Sequence, residues 1–129
     1  MNNGNLEEAK QCMKSLISNV PYSNKKLVSM DMEERYRLII STILNAIGCK
    51  VEVEHMLSTG RIDIVASTSR FIYVMELKLA NNGGINAAEK QMIDNGYLKP
   101  FLADDRKVIG VAVELDDMGK GLIDWKEVK

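Results

Sequence analysis

The sequence predicts an α/β fold in which a mixed sheet of about five strands is flanked by helices. Three observations carry this reading. Two early segments repeat their apolar residues at helical spacing. Three β-patterned runs follow in succession, and a further helical segment separates them from two final runs. The late helix is long enough to act as a crossover, so strands three and four can lie parallel in a right-handed connection. At 129 residues the chain suits one domain with a single core.

The first helix is expected over about Leu6 to Ser18. Leu6, Ala9, Met13, Leu16 and Ile17 form its apolar stripe, Asn5 with Glu8 resembles a capping box, and Pro21 stops it. The second is expected from Met32 to Ile47, with Tyr36, Ile39, Ile40, Ile43 and Ile47 on one face. Asp31 is placed to cap it with Glu34 at the matching box position, and Gly48 fits its C-terminus. Val51 to Leu57 alternates and reads as the first strand. Its His55 suits solvent or a hydrogen-bonding partner better than a catalytic base. Arg61 to Ser67 and Phe71 to Leu79 are the next two strands, joined through a short polar segment as a hairpin. Asn81 to Gly84 reads as a loop, Ile85 to Asn95 as the third helix closed by Gly96, and Lys107 to Leu115 as a buried strand. Asp116 to Lys120 is a polar turn, and Gly121 to Val128 a short edge strand in which Trp125 reads as a packing anchor.

The central hairpin carries the chemistry. Seven of the nine residues from Phe71 to Leu79 are apolar, as in a strand covered on both faces, where charges need partners or a metal. Alternation puts Ile72, Val74, Glu76 and Lys78 on one face, and Phe71, Tyr73, Met75, Leu77 and Leu79 on the other. A two-residue turn sets Asp63 diagonal to Glu76, and a four-residue turn sets it directly opposite. Either brings both carboxylates and the Lys78 ammonium to one face. A three-residue turn would send Asp63 away unless a bulge restored it. Two carboxylates and an amine on an apolar sheet resemble a hard-cation site with an electrophilic helper. The plain alternative is that Glu76 and Lys78 are charges on the exposed face of an ordinary strand.

Gly60-Arg61-Ile62-Asp63 followed by Glu76-Leu77-Lys78 resembles the active-site signature of the PD-(D/E)XK nuclease superfamily. Ile62 stands where the superfamily name has proline, at a variable position. The stretch from Asn5 to Tyr22, the Glu33–Tyr36 helix start, Gln91 with Gly96-Tyr97, and Asp124-Trp125-Lys126 are similar to one branch. That branch is the nuclease-like domain often found after an AAA-type ATPase-like domain in bacterial proteins. The likeness covers almost the whole chain; the Asp–Glu-x-Lys part alone is a weak motif, and the ordered set a stronger one. It implies a restriction-endonuclease-like core and metal-dependent DNA cleavage. Asp63 and Glu76, with the Leu77 carbonyl, would hold Mg²⁺ or Mn²⁺, and Lys78 would orient the attacking water or stabilise the transition state. The resemblance also directs Gln91 and Tyr97 toward the site and gives Glu33 a role at its border. Their plain readings are a solvated helix position, packing under the next loop, and an acid favoured at a helix N-terminus.

Composition sets limits. Hydrophobic content of 46% and charged content of 27% are ordinary globular chemistry. No apolar run approaches the ~18 residues that span a bilayer, and the polar N-terminus is unlike a signal peptide, so a cytoplasmic protein is expected. Cys12 and Cys49 lack metal-ligand spacing and read as buried thiols beside a lone histidine. The chain has no P-loop. Seventeen basic against eighteen acidic residues leave a net charge of −1, whereas a domain that grips DNA by itself is more often basic. Weak DNA binding alone is therefore expected, with delivery by a partner. The rival reading is a non-catalytic module that binds nucleic acid or protein in the service of an ATPase partner.

Overall fold

The computed structural model describes residues 6–18, 31–118 and 120–128, and the expected cap at Asn5 and stop at Pro21 lie outside them. Helices α1 (Leu6–Ser18) and α2 (Met32–Ala46) precede strands β1 (Lys50–Leu57), β2 (Gly60–Ser67) and β3 (Phe71–Leu79). Helix α3 (Gly84–Asp94) then leads to β4 (Lys107–Leu115) and β5 (Leu122–Val128). The five strands form one sheet in the order β1-β2-β3-β4-β5. Neighbours pair antiparallel except β3 and β4, which run parallel across the α3 crossover. This is the mixed α/β sheet that the sequence predicts.

The sheet is covered on both faces. Met13 and Ile17 of α1 and Tyr36, Ile40 and Leu44 of α2 pack on Tyr73, Met75, Leu77, Val111, Val113 and Trp125. Ala88 and Met92 of α3 pack on Ile72, Val74 and Ala112 from the other side. Alternate residues of β3 thus enter opposite cores, which explains its near-continuous apolar run. The Tyr36 hydroxyl donates to the Asp116 carbonyl at 2.8 Å and accepts from the Gly121 amide at 3.1 Å, fixing α2 to the β4–β5 turn. Burial pushes that phenol up to about 12.

Helix α2 begins as expected, with the Asp31 carboxylate accepting from the Glu34 amide at 2.8 Å. Beyond its end, Gly48 takes φ +100°, the left-handed turn that glycine makes without a Cβ penalty. The expected stripes need correction at their margins. The buried series on α2 is Tyr36, Ile40 and Leu44, spaced four apart, while Ile47 lies past the last turn and is 51% exposed. On α1, Met13 and Ile17 are buried and Leu16 faces out. Cys49 is buried, but Cys12 is exposed, contrary to expectation, because the α1 core stripe does not include it. Among the described residues no helix is long and apolar enough to cross a membrane.

Candidate active site

The hairpin register decides between the turn lengths left open by the sequence. Ser67 pairs with Ile72 and Ile64 with Met75, so four residues, Thr68 to Phe71, form the connection. The Thr68 side chain holds this turn, its Oγ1 accepting from the Arg70 and Phe71 amides at 3.2 and 3.0 Å. Continued one step, the same register sets Asp63 beside Glu76. The β2–β3 ladder stops there, and Asp63 Oδ2 accepts from the Leu77 amide at 2.9 Å in place of a backbone carbonyl.

A cavity of about 720 Å³ opens at that break. Asp63, Glu76, Leu77 and Lys78 line it, together with Glu33 from α2, Gln91 from the last turns of α3, and Tyr97 just beyond. The structure thus gathers every residue the sequence analysis singled out for the site. Its outer wall is the β1–β2 turn from Met56 to Arg61, tied to the end of α3 by two bonds. Thr59 Oγ1 donates to the Asn95 carbonyl at 2.8 Å, and the Tyr97 hydroxyl donates to the Arg61 carbonyl at 3.1 Å. That hydroxyl also accepts from Gln91 Nε2 at 3.1 Å. Tyr97 is therefore both buried packing and a polar contact at the cavity edge.

Glu76 is 2% exposed. Desolvation, a hydrogen bond with Asp63 and the charges of Asp63 and Glu33 push its carboxyl up to about 10, while Lys78 pulls the other way. Glu76 Oε2 is buried without a hydrogen-bond partner among protein groups. A buried carboxylate oxygen left unpaired beside a second carboxylate is costly unless a proton or a cation meets it.

The sequence profile of the PD-(D/E)XK nuclease superfamily matches residues 31–125. The chain belongs to that superfamily. No curated protein and no solved structure matches it significantly. The five-stranded mixed sheet with helices on both faces agrees with a restriction-endonuclease-like PD-(D/E)XK core.

PD-(D/E)XK nucleases generally use divalent metal ions, and the residues here fit one. The orphaned Glu76 oxygen, the Asp63 carboxylate and the adjacent Leu77 backbone are oxygen donors of the kind a hard cation takes. Among the described residues no three His, Cys, Asp or Glu side chains cluster as a ready-made cage.

Sequence reasoning missed the groups behind Asp63. Arg37 lies 3.4 Å from Asp63 Oδ1 and 2.7 Å from Glu54, and Arg61 reaches the other Glu54 oxygen at 3.6 Å. Glu33 and Arg37 are four apart on α2, a spacing that puts both on one helix face and was the available signal. Glu114, likewise unremarked, accepts from the Ile85 amide at 2.9 Å and so holds the start of α3. His55 Nδ1 lies 2.9 Å from a Glu52 carboxylate oxygen, outside hydrogen-bonding geometry, with its ring tilted against Phe101.

Proposed function

We propose that this PD-(D/E)XK domain is a Mg²⁺- or Mn²⁺-dependent phosphodiester hydrolase whose substrate is DNA. The observation that carries the reading is the buried, unpartnered Glu76 oxygen beside Asp63, with Lys78 on the same cavity. Asp63, Glu76 and the Leu77 carbonyl would hold the cation. A bound divalent ion lowers the pKa of a coordinated water and neutralises charge on a phosphate oxygen. The Lys78 ammonium orients the attacking water or stabilises charge accumulating on the phosphate. Tyr97 fixes the Gln91 amide at the cavity edge, from which Gln91 hydrogen-bonds water or phosphate. Glu33 borders the site and adds negative field for the cation.

Near-neutral net charge gives little grip on nucleic acid, because Lys and Arg contacts to phosphate supply most non-specific affinity. Cleavage by this cytoplasmic domain alone is therefore expected only at low salt or high protein concentration. The test is cleavage of single- and double-stranded DNA with Mg²⁺ or Mn²⁺. Lys78→Ala should lower the rate by about 10²-fold or more while sparing metal binding. Asp63→Asn, which keeps an acceptor for the Leu77 amide, should remove both. Equal traces of cleavage from wild type and Lys78→Ala at every salt concentration would identify a contaminant. The same near-neutral charge favours a second reading, a module that binds a protein such as a partner ATPase. A pull-down that captures the same partner after nuclease treatment would support it.

A further inference from the structure

Arg37 stands one helical turn beyond Glu33 on α2, so both project from the same face. Glu33 lines the cavity, whereas Arg37 does not. Its side chain is 12% exposed and reaches Asp63 from behind. The stronger of its contacts is to Glu54, at 2.7 Å against 3.4 Å for Asp63. Glu54 pays for that position with backbone strain. Its φ of +54° is the left-handed region, uncommon for glutamate, and the β1–β2 register skips the Glu54–Asp63 pair. The irregularity falls where the Glu54 carboxylate meets Arg37 beside Asp63.

The geometry points to Arg37 as a positioning residue for metal binding: clamped by Glu54, it fixes the orientation of the Asp63 carboxylate. This rests on the metal-binding reading proposed above. Asp63 has one donor on each oxygen, the Leu77 amide on Oδ2 and the Arg37 guanidinium on Oδ1. Together they restrict rotation of the carboxylate plane and present its remaining lone pairs in a set direction. Glu54 sets one carboxylate oxygen against the Arg37 charge at 2.7 Å, while its other oxygen faces Arg61 at 3.6 Å. What the pair contributes to the site is orientation rather than net charge. The planar guanidinium spans two carboxylates, which a lysine ammonium cannot do in the same way.

The deciding variant is Arg37→Gln combined with Glu54→Gln, which removes one charge of each sign and leaves the net charge around Asp63 unchanged. Mn²⁺ binding to the folded protein, measured by calorimetry, should weaken about 10-fold or more, as for other residues that orient metal-binding side chains. A merely structural role would lower the thermal midpoint without metal and leave the Mn²⁺ dissociation constant where it was. That result, a constant within about threefold of wild type, would overturn the inference while the metal reading stood. If the double variant does not fold, Arg37→Lys carries the same test, since it keeps the charge balance and loses the fork. A wild-type protein that binds no Mn²⁺ would overturn the metal reading, and this inference with it.

Discussion

Replacing Glu76 by Gln should stabilise the metal-free protein, by an amount that grows with pH. The wild-type carboxyl is buried, and its surroundings raise its pKa above the ordinary value of 4.5 and past neutrality. A raised acid pKa means that the folded state binds a proton the unfolded chain has already released, so stability falls as pH rises between the two values. The slope is about 1.4 kcal/mol per pH unit. At pH 7 the deficit is set by the unfolded value alone, 7 − 4.5 = 2.5 units, or about 3 kcal/mol. Glutamine does not ionise, and its amide can donate to Asp63 as the protonated acid does. Urea unfolding of metal-free wild type and Glu76→Gln at about pH 5.5 and about pH 8 measures the difference. Wild type should lose about 3 kcal/mol more than the variant across that range. Saturating Mn²⁺ should restore wild type at the higher pH and leave the variant unchanged, because the proposed site needs both carboxylates. A variant less stable than wild type at about pH 8, or one with the same pH slope, would refute this account. It would make Glu76 an ionised partner in a structural ion pair.

Two further outcomes test the framework of the fold. Gly84→Ala should cost about 1–3 kcal/mol by thermal unfolding, since Gly84 sits at φ +60° and an added Cβ would lie 2.3 Å from Glu114 Oε1, the acceptor that holds the start of α3. Asp104, hydrogen-bonded through both oxygens to Arg106, has its carboxyl lowered to about 2. Its contribution to stability should be complete above the ordinary value of 3.8 and vanish as pH falls through about 2. A carbon-detected NMR titration should show that depressed midpoint, and Arg106→Gln should return it toward normal.

Much of this arrangement was legible because local and global signals agree. Asp31 before an apolar helix, alternation in β3 and a long crossover segment each have a local cause that the folded chain respects. The face shared by Glu76 and Lys78 follows from a two-residue period alone. Turn length did not follow, because Thr68-Ser69 permits either a two- or a four-residue connection, and the choice lies in how the Thr68 hydroxyl meets amides two and three residues on. The Arg37–Glu54 clamp was hidden for a different reason. It joins a helix to an edge strand, and the left-handed Glu54 sits inside a run whose alternation reads as regular. Leu44 in place of Ile47 shows how one extra residue of assumed helix shifts the buried margin.

The bond from the Leu77 amide to Asp63 has a consequence for reading relatives of this chain. An aspartate that fastens the open end of a seam between two strands has a reason to persist even where no phosphodiester is ever cut, since its loss leaves a buried amide unsatisfied. Lys78 is only half-buried and fastens no comparable seam. Under the proposed function, the lysine is therefore the sharper marker of chemistry in this chain, and the aspartate bears witness first to the fold.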